Sequence, residues 1–161
     1  MRQFRVLAMS ILTACLLAVC TVGTAQASST SVTAAIKAQD KIFKTSPAYK
    51  SLKDFKLSTT AEAKKLVKEF KALRVAADHA ATVVSEASAS GAKQKQGQND
   101  WVDGLREAAT GMGMLNTALQ DALDGKAAAA KTLLAKGQKG LDAGNALGDK
   151  GDRLLGLPTS D

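Results

Sequence analysis

Apolar residues recur every three or four positions along most of the chain, which is the pattern of amphipathic helices. A first helix is predicted over residues 31–45. Ser46 and Pro47 then supply an N-cap residue followed by proline, which is typical of a new helix start. Because proline also restricts the residue before it, the first helix is predicted to break at Pro47. The apolar side of the first piece consists of Val32, Ile36 and Phe43.

Two longer segments each carry a narrow apolar seam with steps of four and three residues. The second helix is predicted to begin after Thr59, which stands three residues before Glu62 at the spacing of a capping box, and to end near Ser88. Its seam comprises Leu66, Phe70, Leu73, Ala77, Ala80, Val84 and Ala87. The third helix, capped by Asn99 or Asp100, is predicted to stop at Gly125. Its seam comprises Trp101, Leu105, Ala108, Met112, Leu115, Leu119 and Ala122.

The segment between these helices, residues 89–98, contains two glycines and no large apolar side chain, so a flexible loop is predicted there. A last helix is predicted over residues 126–155 and is closed by Pro158. No stretch shows sustained alternation with period two, so strands are not expected. The pattern therefore predicts an all-α fold, an antiparallel four-helix bundle whose first helix is broken at Pro47. It forms one domain over residues 28–161.

Glycines inside the last helix oppose its formation, because each costs about 1 kcal/mol relative to alanine. They are Gly137, Gly140, Gly144, Gly148 and Gly151. The third helix carries a matching stripe of small residues that includes Gly104 and Gly111. We predict that the last two helices form a closely packed hairpin, with Gly111 opposite Gly144. The alternative is a loosely ordered C-terminal tail.

The first 27 residues have the pattern of an export signal. Arg2 and Arg5 precede an apolar run over residues 6–22, and Ala25 and Ala27 supply the small residues of a cleavage site. The mature protein is thus expected to be periplasmic or extracellular, with a composition that looks bacterial. One alternative is an uncleaved membrane anchor over residues 6–25. Another is a lipoprotein, because the residues before Cys15 resemble a lipid-modification box.

Both cysteines, Cys15 and Cys20, lie inside the predicted signal, so the mature chain has no thiol for disulfides, thiol catalysis or thiolate zinc sites. His79 is the only histidine, and neither a catalytic-triad signature nor a Gly-rich phosphate loop is present. We therefore predict that the protein is not an enzyme and holds no metal. Three acidic residues share a face near the start of the third helix, where helix capping explains them without a hard cation. They are Asp100, Asp103 and Glu107.

Positive charge is concentrated in the first half of the mature chain. Residues 37–74 contain eleven basic and four acidic residues, whereas residues 75–161 contain nine basic and eleven acidic ones. This distribution favours an anionic partner or cell-envelope surface, with no specific nucleic acid. The alternative is a face that serves only solubility. The candidate binding residues are Lys37, Lys41, Lys44, Lys64, Lys68 and Lys71.

Two further hypotheses come from other functional classes. The narrow seam and the small-residue stripes are also compatible with a self-associating structural envelope protein, a homo-oligomer. In size and helix count the predicted fold resembles the four-helix-bundle cytochromes. That resemblance implies non-covalent haem held between a histidine and a methionine of different helices, for which only His79 with Met112 or Met114 is eligible. The leading hypothesis, a non-enzymatic binding protein, involves no cofactor. Trp101 is assigned to core packing, with a partner anchor as its alternative.

Overall fold

The structure is a computed structural model that describes residues 30–53 and 59–159. The predicted signal peptide over residues 1–27 lies outside this part of the chain, as do the anchor and lipoprotein alternatives. Helices account for 88% of the described residues. Within these ranges there is no strand, although an isolated bridge pairs Ser31 with Ser88. The all-α prediction is confirmed.

Five helices follow one another in the described chain. Helix α1 covers Val32–Thr45, α2 Pro47–Lys53, α3 Thr60–Glu86, α4 Gly91–Leu123 and α5 Ala127–Leu155. The predicted break at Pro47 is present, and its N-cap is formed as expected, since the Tyr49 N–H donates to the Ser46 hydroxyl at 3.1 Å. The last helix ends at Leu155, as predicted. Its cap is Gly156, whose φ of +70° lies in the left-handed region.

The start of α3 is fixed by the capping box that the sequence predicts. The Thr59 hydroxyl accepts from the Glu62 N–H at 3.2 Å, and the Thr59 N–H donates to the Glu62 carboxylate at 2.8 Å. The other end of α3 is tied to the start of α1. The Ser88 N–H donates to the Thr30 carbonyl and the Val32 N–H to the Ser88 carbonyl, both at 2.9 Å.

The predicted loop over residues 89–98 is wrong from Gly91 onward, because α4 begins there. Local hydrogen bonds explain the early start: the Gln94 side-chain carbonyl accepts from the Ser90 N–H at 2.9 Å and from its hydroxyl at 3.1 Å. Asn99 and Asp100 are therefore internal to α4, so the prediction that one of them caps this helix is also wrong. The connection from α3 to α4 is reduced to residues 87–90.

The predicted seam of α3 is buried, as is the apolar side of α1, and the predicted seam of α4 is buried except for Ala122, which is exposed. The core is aliphatic and rich in alanine, and its largest fully buried side chains include Phe43, Phe70, Leu73, Leu105 and Met112. Trp101 is only 2% exposed and belongs to this core, which confirms its assignment to packing.

Helices α4 and α5 form the closely packed hairpin that their glycines predict, so the alternative of a loose tail is wrong. A Cβ atom added to Gly104 would lie 2.7 Å from the Gly144 carbonyl oxygen, and one added to Gly111 would lie 2.7 Å from the Gly137 oxygen. A Cβ atom added to Gly97 would lie 3.2 Å from the Gly151 carbonyl oxygen. The predicted pairing of Gly111 with Gly144 is wrong by seven residues. Close backbone approach thus offsets the unfavourable helix propensity of these glycines.

Candidate functional site

The first half of α3 presents a stripe of positive charge to solvent. The three lysines predicted there step by four and three residues, which places them on one side of the helix, opposite the buried seam. All basic residues of this half-helix are exposed, whereas its two carboxylates, Glu62 and Glu69, are half-buried. We call these basic residues the α3 stripe. They are Lys64, Lys65, Lys68, Lys71 and Arg74.

The lysines of the α3 stripe form no ion pair within residues 30–53 and 59–159. Arg74 approaches Asp78 at 4.0 Å, and both side chains are more than half exposed. An exposed pair of this kind contributes little stability and neutralises little charge. The α3 stripe is therefore largely uncompensated.

The predicted lysines of α1 have different surroundings. All three are exposed, but the Lys44 ammonium lies 2.8 Å from the Asp40 carboxylate. Lys37 and Lys44 also line a groove of about 220 Å³ between α1 and the C-terminal half of α5, which we call the acidic groove. Its walls carry three carboxylates, from Asp40, Asp149 and Asp152. The single basic face predicted from the sequence is thus divided, and its α1 part faces negative charge.

One carboxyl group of the acidic groove is bound to the core tryptophan. The Trp101 indole N–H donates to Asp152 Oδ1 at 2.8 Å. Burial raises the pKa of the Asp152 carboxyl above its ordinary value; the Trp101 hydrogen bond opposes this shift, and the nearby Asp149 and Asp40 charges add to it. Asp152 therefore resists ionisation more than an exposed aspartate does.

The three acidic residues predicted to share a face all lie on α4 but differ in burial. Asp100 is only 5% exposed, and its Oδ1 accepts from Lys150 Nζ and Gln96 Nε2, both at 3.0 Å. Asp103 and Glu107 are exposed. Because α4 begins at Gly91, none of the three lies in its first turn, so the capping explanation is wrong; Asp100 instead joins α4 to α5. In the described part of the chain, no group of three or more histidine, cysteine, aspartate or glutamate side chains is placed to hold a metal ion.

The residues eligible to bind haem occupy unlike environments. Met112 is completely buried in the core, whereas Met114 lines a cleft of about 290 Å³ beside Arg74 and Asp78. His79 is half-buried on α3 and lines neither that cleft nor the acidic groove. Neither opening therefore brings the histidine together with a methionine.

Sequence reasoning missed Gln98, which positions α3 against α4. Its side chain is 1% exposed and its amide nitrogen donates to the carbonyls of Val84 at 2.6 Å and Ala87 at 2.7 Å. These carbonyls belong to the last turn of α3 and its cap. A glutamine in a polar run carries no signal for a contact of this kind, because its partners lie more than ten residues away.

The faces required for self-association are already used inside the chain. The apolar seam of α3 is buried, and the small residues of α4 and α5 pack against each other. Self-association of the folded chain would need a different surface.

No helix among the described residues has the length and apolar character needed to cross a membrane. No protein-family model, curated protein or solved structure matches this chain.

Proposed function

We propose that this is an exported, non-enzymatic protein, built as an antiparallel four-helix bundle, that binds an anionic partner at the cell envelope. The mature protein would begin at Ser28 and act in the periplasm or outside the cell. The observation that carries the proposal is the α3 stripe, an exposed and uncompensated row of basic side chains. The α1 lysines contribute less, because they lie beside the carboxylates of the acidic groove.

Electrostatic attraction to an anionic surface is strong enough for the α3 stripe to act as a docking surface. A lysine or arginine close to an anionic lipid surface contributes about 1 kcal/mol, and several act together. Val75 follows on the same side of α3 and is 59% exposed, so it adds an apolar contact beside the charges. Binding of this kind is strong at low ionic strength and is screened by salt.

Co-sedimentation with lipid vesicles tests the proposal. We expect the purified protein to bind vesicles that contain phosphatidylglycerol and not to bind vesicles of phosphatidylcholine alone. It should dissociate as the salt concentration is raised. The double variant Lys68→Gln/Lys71→Gln should bind several-fold more weakly. The matched control Lys93→Gln/Lys136→Gln removes the same charge from exposed positions outside the α3 stripe and should change binding little. Equal losses in the two variants, or no binding at low salt, would show that the α3 stripe is not the docking surface.

A further inference from the structure

A third opening lies at the far end of the α4–α5 hairpin, near its turn. It has a volume of about 820 Å³, within the range of roughly 300–1,000 Å³ that is typical of small-molecule sites. Its lining is mostly alanine and leucine, so the floor is smooth and apolar. We call it the apolar groove. The apolar side chains that form it are Ala118, Leu119, Ala122, Ala130, Leu134 and Ala135.

The apolar groove continues the side of α5 that faces α1 across the acidic groove. Asn145, Asp149 and Asp152 face α1 across the acidic groove, and the same three- and four-residue steps lead on through Asp142 and Gln138 into the apolar groove. Helix α1 ends at Thr45, and the helix that starts at Pro47 packs against α3. In the described chain, α1 therefore lies beside only one half of this side of α5, and the apolar groove in the other half is lined by the α4–α5 hairpin alone.

The charged side chains that line the apolar groove are all at exposed positions. Lys131 and Lys139 are exposed there, about 12 Å apart along the helix axis, and neither forms an ion pair within the described ranges. The carboxylate of Asp142 accepts from Gln138 Nε2 at 2.8 Å, which holds it at one end. The groove thus combines an apolar floor with unpaired positive charge at its edge.

We propose that the apolar groove binds a long-chain fatty acid, with the alkyl chain on the alanine floor and the carboxylate at Lys131 and Lys139. This chemistry matches both features of the groove. An alkyl chain removes the apolar floor from water, and the anionic head complements the lysines without carrying charge into the interior. The site is separate from the α3 stripe and does not depend on it.

Titration calorimetry with oleate below its micellar concentration tests this site directly. We expect saturable binding of one oleate per chain. Ala135→Phe places a ring in the apolar groove at an exposed alanine and should weaken binding by at least about tenfold. Its control is Ala143→Phe, at an exposed alanine of the same helix that does not line the groove, which should bind as the parent does. Circular dichroism establishes that each variant is folded, and Ala122→Phe replaces Ala135→Phe if the latter is not.

The charges of the rim are tested in the same titration. Lys131→Gln/Lys139→Gln should weaken oleate binding several-fold, while Lys93→Gln/Lys136→Gln and Lys68→Gln/Lys71→Gln leave it unchanged. The last of these separates the fatty-acid site from the proposed docking surface. No saturable oleate binding by the parent, or equal affinities for Ala135→Phe and Ala143→Phe, would overturn the proposal. So would a dimer of the parent that Ala135→Phe converts to monomer, because a second copy would then occupy the groove.

Discussion

Gln98 satisfies backbone groups that a helix cannot satisfy by itself. The last carbonyls of α3 have no intrahelical donor, as at any helix end. The Gln98 amide supplies donors to Val84 and Ala87 and lies 3.3 Å from the Ser85 carbonyl. Its own oxygen accepts from Lys95 Nζ at 3.1 Å. One buried side chain of α4 therefore completes the end of α3.

Replacing this glutamine should destabilise the fold. We expect Gln98→Ala to lower the free energy of unfolding by about 1–3 kcal/mol, because the buried Ala87 carbonyl loses its side-chain donor and the Val84 carbonyl is left with the longer bond from the Ala87 N–H, at 3.3 Å. Urea denaturation measures the effect. Gln120→Ala, at an exposed position of the same helix, is the control and should change stability by less than about 0.5 kcal/mol. Similar losses for both variants would contradict the role assigned to the Gln98 amide.

Asp152 should make stability depend on pH. Because its pKa is raised in the folded protein, its contribution to stability is fully present below the ordinary aspartate pKa and is lost as pH rises through the native pKa. Asp152→Asn keeps an oxygen acceptor for the Trp101 indole but does not ionise. We expect this variant to be at least as stable as the parent at neutral pH, with a flatter stability profile through the acidic range.

Denaturant unfolding at a series of pH values checks this expectation. The exposed Asp103, whose carboxylate lies 3.9 Å from Arg106, provides the control, and Asp103→Asn should leave the slope of the profile nearly as in the parent. A parent profile in which stability rises steadily through the same range, unchanged by Asp152→Asn, would contradict the argument.

At the level of the helices, the spacing of the glycines determines which faces of α4 and α5 contact each other, but it does not determine the register of the two helices. Gly97, Gly104 and Gly111 repeat every seven residues on α4, and the glycines of α5 repeat with the same period. Sliding one helix by seven residues restores the pattern, which is why the sequence predicted the hairpin correctly and Gly111–Gly144 wrongly. The turn resolves the ambiguity: positions equally distant in sequence from Asp124, such as Gly111 and Gly137, lie opposite each other.

Alanine substitutions on α4 distinguish close helix packing from simple helix propensity. Gly104→Ala and Gly111→Ala place a Cβ 2.7 Å from a carbonyl oxygen of α5, so we expect each to destabilise the fold by about 1–3 kcal/mol. Gly113→Ala lies on the same helix, but its Cβ would meet only the flexible end of Arg74, at 3.3 Å. It should be neutral or stabilising by up to about 1 kcal/mol, from helix propensity alone. Thermal or urea unfolding measures all three, and destabilisation by Gly113→Ala equal to that of the other two would contradict the packing argument.

Local signals in the sequence predicted the helix boundaries that depend on nearby residues. The capping box at Thr59, the break at Pro47 and the turn at Gly125 are each encoded within a few positions. The loop predicted over residues 91–98 was wrong because part of what stabilises a helix there comes from distant parts of the chain. Gly97 is small where α5 approaches, and Gln98 serves the end of α3. Composition alone makes such a stretch look like a loop.

At the scale of the whole molecule, the three predicted lysines of α1 and the three of α3 have different electrostatic surroundings. Counting along the chain assigned Lys37, Lys41 and Lys44 to the same basic face as the lysines of α3. The fold instead places Lys37 and Lys44 in a groove with Asp149 and Asp152 of α5, and Lys44 is also paired with Asp40 of α1 itself. Asp149 and Asp152 come from a distant part of the chain, so sequence position could not reveal that they offset the charge of α1. The exposed lysines of α3 have no such neighbours within the described residues.

Two triple variants of equal charge measure this difference. Lys64→Gln/Lys68→Gln/Lys71→Gln removes charge from an uncompensated surface, whereas Lys37→Gln/Lys41→Gln/Lys44→Gln removes it beside the carboxylates of the acidic groove. Because each uncompensated lysine contributes about 1 kcal/mol near an anionic membrane, we expect the α3 triple to weaken binding to phosphatidylglycerol vesicles by roughly a hundredfold. The α1 triple should weaken it by about tenfold or less, because repulsion from the exposed acidic groove replaces only a small attraction. Equal effects of the two triple variants would mean that vesicle binding depends on net charge alone. A larger effect of the α1 triple variant would place the docking surface on α1.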